Sequence, residues 1–274
     1  MIRVCGLNYT VPSGKRILKD ITFSIQPGEF VALIGHNGAG KSSLIQHLNG
    51  LIKPAPGKVT VAGLDAAVTP TSTLAQHIGF LFQNPDHQIF NNTVHNEFLF
   101  GLKNMGLSHA EIEERIQTTA GLVGLGDKLA ESPFTLSRGF RQRLAYGAVL
   151  AMNPEILVLD EPTTGHDYRE SRQTMELVKQ LNQEGKTVLM VSHDMDMIAE
   201  YAQRVILLDD GRIVRDGAVA EVMSDSDSLM QSGLMPPSII SLANSFVNAQ
   251  LDIKSSNTDD MFQEIMQKLG VSIC

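Results

Sequence analysis

Cysteine is almost missing from this sequence: Cys5 and Cys274 stand at opposite ends of 274 residues. Two thiols so placed build neither a zinc cluster nor a disulfide framework, and a reducing cytosol fits them best. Long hydrophobic runs are missing too. The longest charge-free apolar run near the middle, Leu144 to Met152, has nine residues, whereas a membrane-crossing helix needs about 20. If the protein works at a membrane, another chain does the crossing. The opening MIRVCGLNYTV carries one Arg and no apolar core of a secretion signal, so export is not expected. Positive charge is in deficit, with 22 Lys and Arg against 30 Asp and Glu, a net charge of -8 and a pI near 5.5. Such a surface has no general attraction for a polyanion, and nucleic acid is not an expected partner.

What is present describes an ordinary globular protein, 43% hydrophobic and 19% charged. The length allows one large domain with an appendage. Aliphatic and β-branched runs recur at 30–35, 156–161, 187–194 and 204–211, with helical stretches between them. That rhythm predicts a buried, largely parallel sheet with crossover helices. The first 30 residues alternate instead, as in Ile21, Phe23 and Ile25 before Pro27-Gly28, and predict antiparallel strands at the sheet's edge. A helical insertion is expected at about 84–150. Within it Ser108 and Glu111 form a capping box ahead of Ile112, Ile116, Ala120 and Val123 at helical spacing. After Gly217 the chain turns richer in Ser, Asp and Met, with Thr258 placed to cap a last helix. Its stripe of Met261, Phe262, Ile265, Met266 and Leu269 reads equally as a packing face or a dimer contact.

Three places carry chemistry. Gly35-His36-Asn37-Gly38-Ala39-Gly40-Lys41-Ser42, followed by Ser43, matches G-x-x-x-x-G-K-S between a predicted strand and a predicted helix. Its glycines allow successive N–H groups to face phosphate oxygens, and the helix start adds its positive dipole end. Lys41 is placed to reach the β- and γ-phosphates of a nucleoside triphosphate, and the Ser42 hydroxyl to bind Mg²⁺. Second, Ile156 to Leu159 run into Asp160 and Glu161, two acids at a strand's carboxyl end where α/β sheets place their ligands. Asp160 suits the Mg²⁺ shell, and Glu161 suits the general base for the attacking water. Third, His193 and Gln83 each follow an apolar strand. Both have two readings: a structural hydrogen-bonder or surface amide, or a group that touches the chemistry, with Gln83 as a Mg²⁺ and water ligand.

The order GHNGAGKS, FLFQ, LSRGFRQR, ILVLDEPT, TTGHD and VSHD across residues 30–194 resembles the ATPase domain of ABC proteins. The resemblance implies a P-loop NTPase of α/β class, with a mixed sheet core, an antiparallel β subdomain and a helical insertion. It implies an ATPase domain over 1–218, with its helical subdomain at about 84–150, and a C-terminal appendage over 219–274. It further implies two such domains head to tail, each ATP held between the P-loop of one and the signature of the other. Ser137 and Gly139 would then meet the γ-phosphate on the partner, and Asp167 would belong to the D-loop. The sequence departs from the family's LSGGQ with Arg138 and Phe140, and His166 stands where a Leu is common. No adenine-stacking residue is assigned; the spacing points to Val11, and Tyr9 reads as a strand residue. Within the group, QNPDHQIFNNTVHNEFLFGL at 83–102 and LMPPSIISLANSF resemble the ATPases of energy-coupling factor importers of vitamins or transition-metal ions. That likeness implies a place at the cytoplasmic face of the membrane beside a membrane scaffold docked near Ile89 and Phe90. A substrate-binding membrane subunit and a second ATPase are implied with it, a heterodimer being favoured over a homodimer because Phe140 lacks an amide's hydrogen bonds. An ABC ATPase of another importer class, a soluble non-transport ABC ATPase and a non-hydrolysing regulator are the competing readings.

Overall fold

Alternation in the N-terminal residues sets the first sheet. In β1 (Ile2–Thr10) and β2 (Arg16–Ile25) the residues Ile2, Val4, Ile21, Phe23 and Ile25 all point into the core. The strands pair antiparallel with Ile2 opposite Ile25 and Val4 opposite Phe23. Two short strands, β4 (Val59–Val61) and β5 (Leu64–Asp65), complete this sheet in the order β2-β1-β4-β5. The computed structural model describes residues 1–82, 84–165, 167–238, 240 and 264.

The second sheet holds β3 (Phe30–Ile34), β6 (Ile78–Leu81), β7 (Ile156–Asp160), β8 (Thr187–Val191), β9 (Arg204–Asp209) and β10 (Arg212–Ala218). Its order is β10-β9-β3-β8-β7-β6. All neighbours run parallel except β10, which turns back antiparallel on β9. Every residue of β3 and of β8 is buried, as continuous aliphatic runs covered on both faces must be. The edge strand β6, the apolar run before Gln83, pairs with β7 from Ile78 opposite Ile156 to Leu81 opposite Leu159.

Helices α1 (Lys41–Leu48), α2 (Thr71–Leu74), α6 (Tyr168–Gln183) and α7 (Met195–Tyr201) accompany the sheets. The insertion contains α3 (Val94–Leu102), α4 (His109–Leu122) and α5 (Arg138–Ala151). These close over their own core of Phe98, Leu102, Ile116, Ala120, Leu125 and Leu144. Ser108 and Glu111 form the expected capping box of α4. Gly147 is what lets α5 meet α3 so closely, since a Cβ there would stand 2.5 Å from Phe98 Cε1. Tyr146 and Val149, on the other side of α5, pack into the core of the main sheet. One helix therefore belongs to both cores and ties the insertion to the sheet.

The start of the C-terminal part is packed rather than loose. Helices α8 (Val219–Ser224) and α9 (Ser226–Gln231) send Val222, Met223 and Leu229 into the cluster that contains Phe30, Ile34 and Val205. The helix expected after Thr258 lies outside the described residues.

Candidate functional site

Parallel strands bring their carboxyl ends to one edge of the sheet, and there β3, β7 and β8 release the loops that carry Gly35–Gly40, Glu161 and His193. The strands are in register: Leu33 and Asp160 both lie opposite Val191. A cleft of about 700 Å³ opens at this edge. Gly35, His36, Asn37, Gly38, Gly40, Lys41, Ser42 and Ser43 line it together with Asp160, Glu161 and His193. Ala39 faces inward instead and is 1% exposed. Gln83 and His166 lie outside the described residues.

The loop after β3 has its shape for a steric reason. Gly35 has φ 152, and a Cβ there would stand 2.1 Å from the carbonyl oxygen of Leu208. Gly40 has φ 110, in the left-handed region, and caps α1 without a side-chain hydrogen bond. The N–H groups of the first turn of α1 thus face the cleft without a side-chain cap and with no acid in that turn, which is the arrangement that receives an anion. Lys41 Nζ turns back onto the loop, donating to the carbonyl oxygens of Gly35 and, at 3.1 Å, of His36. Burial pulls its ammonium below the ordinary lysine value, an effect opposed by Glu161 and Asp160 nearby.

On the other wall, burial and then the adjoining Glu161 push the Asp160 carboxyl above its ordinary value, with Lys41 acting against them. Glu161 adopts φ 53, a left-handed conformation rare for a residue with a side chain. Its N–H donates to Val191 O at 2.8 Å. His193 Nδ1 lies 2.7 Å from Glu161 Oε2, and Thr164 Oγ1 donates to the same oxygen at 3.4 Å. Hard oxygen donors with surplus negative charge, Asp160 lining the same cleft as the exposed Ser42, suit Mg²⁺.

The signature stretch stands apart from this cleft, whose described lining includes none of residues 137–140. Ser137 is the N-cap of α5, its hydroxyl accepting from Phe140 N at 3.5 Å. Arg138 reaches the loop after β7, its Nη2 at 3.5 Å from Thr164 O. Phe140 lies against Lys128 and Arg143, at 5.3 and 5.6 Å from its ring centre. Asp167 caps α6 and forms a capping box with Glu170.

Several contributors were not foreseen. Lys15 and Ile17 of the β1–β2 hairpin, and Gly233 and Leu234 after α9, also line the cleft. Tyr9 is indeed a strand residue, its ring edge-on to His47 at 4.9 Å. Gln88 pins the end of β6, its side chain accepting from Phe82 N and donating to Phe80 O. Arg141 of α5 bonds Asp86 at 2.7 Å and so joins that turn to the signature helix. Ile89 is 5% exposed and packs in the insertion's core, which removes it from the expected docking surface. Phe90 is 57% exposed, edge-on to Phe100 at 4.7 Å.

A phosphate-type loop between β3 and α1, with two acids at the carboxyl end of β7, one strand removed from β3 in a mixed sheet, defines the P-loop NTPase fold of ABC cassettes. The family model described as ABC transporter matches residues 18–164, and the chain belongs to that family. A putative ABC transporter ATP-binding protein of Caldanaerobacter subterraneus is 42% identical over 89% of the chain. The chain spans less than half the length of that relative, 43% of it. The energy-coupling factor transporter ATP-binding protein EcfA of Methanothermobacter thermautotrophicus is 37% identical over 98% of this chain and 88% of its own. Among solved structures, cbiO1 of Clostridium perfringens, part of the ABC transporter complex cbiONQ, superimposes with TM-score 0.75. The match covers 88% of this chain and 97% of that one at 33% identity.

Proposed function

We propose that the chain binds and hydrolyses ATP as the nucleotide-binding subunit of an energy-coupling factor type transporter, driving uptake of a vitamin or a transition-metal ion. The observation that carries this reading is the convergence of Lys41, the bare start of α1, Asp160, Glu161 and His193 on one cleft. Phosphate oxygens accept from the N–H groups of residues 38–43 and from Lys41, which exchanges its carbonyl partners for the β- and γ-phosphates. Ser42 and Asp160 would hold Mg²⁺, with Gln83 as a further ligand. When bound, that ion neutralises charge on the β- and γ-oxygens. Glu161, aimed by His193, takes a proton from the attacking water. The water oxygen bonds to the γ-phosphorus, the bond to the bridging oxygen breaks, and ADP leaves with phosphate.

The placement of Ser137, which caps an exposed helix start outside its own cleft, supports pairing with a second copy or a second ATPase. A helix N-terminus suits the γ-phosphate held by a partner. The exposed rings of Phe82, Phe90 and Phe100 around the insertion suit the apolar side of a membrane scaffold subunit. No helix among the described residues is long and apolar enough to cross a membrane. A peripheral place at the cytoplasmic face, with a separate substrate-binding membrane subunit, completes the reading. Lys41→Ala tests it: the phosphates lose the loop's one side-chain cation, so binding of a fluorescent ATP analogue should be abolished. Unchanged affinity overturns the proposal.

A further inference from the structure

We infer that Asp209 is a positioning residue of the nucleotide cleft, joining His36 of the phosphate loop to the 232–234 turn, so that the C-terminal segment forms part of the site. The inference rests on the nucleotide reading of the cleft. The hairpin end between β9 and β10 lies behind the loop along its length. Leu208 O leaves no room for a side chain at Gly35. Gly211 N donates to Ala39 O at 3.0 Å. Between these backbone contacts, Asp209 Oδ1 lies 3.1 Å from His36 Nε2, while His36 Nδ1 lies 2.7 Å from Asn37 O. Both ring nitrogens are thereby engaged, and the imidazole is fixed across the loop.

The same carboxylate has a second partner. Ser232, 5% exposed, donates from Oγ to Asp209 Oδ2 at 3.5 Å. Gly233 lies over His36, a Cβ built on it standing 3.8 Å from that of His36. Gly233 and Leu234 then complete the cleft wall, and Leu234 is seated in the main core beside Leu229. Four residues on, Ser238 donates from N and Oγ to the two carboxylate oxygens of Asp196, each at 2.8 Å. Asp196 lies in the first turn of α7, the helix that follows His193. The segment 232–238 is therefore tied at one end to the phosphate loop and at the other to the helix behind His193. A change in the loop on filling of the cleft is transmitted to the C-terminal part through Asp209.

Hydrogen exchange on the full-length chain, with and without a non-hydrolysable ATP analogue, tests this. The analogue should slow exchange by at least about threefold both in residues 35–43 and in residues 229–235. Asp209→Asn should keep protection of 35–43 and lose that of 229–235, with affinity reduced about two- to tenfold, the effect of one hydrogen bond. Asp209→Glu should restore part of the coupling, and Ser232→Ala, a milder change, should weaken it without unfolding. Protection confined to 35–43 in the wild-type chain overturns the inference and leaves the nucleotide reading standing. Protection of neither segment overturns both. Protection of 229–235 that survives Asp209→Asn and Ser232→Ala removes Asp209 from the coupling.

Discussion

Removing both Glu161 and His193 should cost little more than removing Glu161 alone. The two side chains meet at 2.7 Å, with Glu161 15% and His193 69% exposed. The histidine is mostly in solvent, and its firm contact is with the less exposed acid. A hydrogen bond to a charged group contributes about 1.5–3 kcal/mol. If all of it serves to aim the carboxylate, His193→Ala slows turnover about ten- to a hundredfold. Glu161→Gln removes the base and slows turnover about 10²–10⁴-fold, or about 3–5 kcal/mol. Independent action would multiply these to about 10³–10⁶-fold, whereas a single unit leaves the double variant level with Glu161→Gln. The assay is single-turnover phosphate release by the assembled protein at saturating ATP, with ATP binding measured separately for each variant. A double variant slower than Glu161→Gln by tenfold or more refutes the arrangement and gives His193 a role of its own.

Three further outcomes follow from the same geometry. Asp160 is raised by burial and by Glu161, so between its unfolded and folded values the native chain holds the extra proton and stability falls as pH rises. Asp160→Asn should therefore raise the melting temperature of the nucleotide-free chain at pH 7, by about 2–4 °C for each kcal/mol relieved, while Mg²⁺-dependent turnover is lost; calorimetry showing a lower melting temperature contradicts this. Phe90→Asp should abolish capture by the scaffold subunit and leave ATP binding intact, and unchanged pull-down places docking elsewhere. Arg138→Gly with Phe140→Gln should change the turnover of the purified chain, alone or with a neighbouring ATPase; rates unchanged in both settings remove the case that the altered signature favours a heterodimer.

Much of the site was legible because each of its parts is local in sequence. A strand, a glycine-rich turn and a helix start are consecutive residues, and Asp160-Glu161 end one aliphatic run. The parallel sheet then brings them together, as its strand pattern predicts. What escaped the sequence has no local signal. Lys15 and Ile17 reach the cleft only because β2 begins near the loop, and Gly233-Leu234 only because α9 folds back onto the core. The Ile89 expectation failed for a different reason. A short apolar run shows that something is buried but not which of two neighbours, and α3 and α5 took Ile89 while leaving Phe90 outside.

The altered signature also reads differently once its side chains are placed. Judged by composition, Arg138 and Phe140 are losses, since neither supplies what a glycine and a glutamine would. In the fold, both are occupied within their own chain. The Arg138 guanidinium lies so close to Gly165 that a Cβ there would stand 2.6 Å from Nη2, and Gly165 has φ 80. Glycine at 165 and arginine at 138 therefore fit as a pair, joining the start of α5 to the loop that leads to Asp167. Phe140 is held by Lys128 and Arg143 and packs with the insertion's core, so it stiffens the turn that Ser137 caps. Neither side chain blocks the N–H groups at the start of α5, because those point along the helix axis while side chains leave it sideways. On the proposed two-ATPase reading, the surface offered to a partner's phosphate would be made of Ser137, Gly139 and backbone, supported from behind by the two residues that depart from the family pattern.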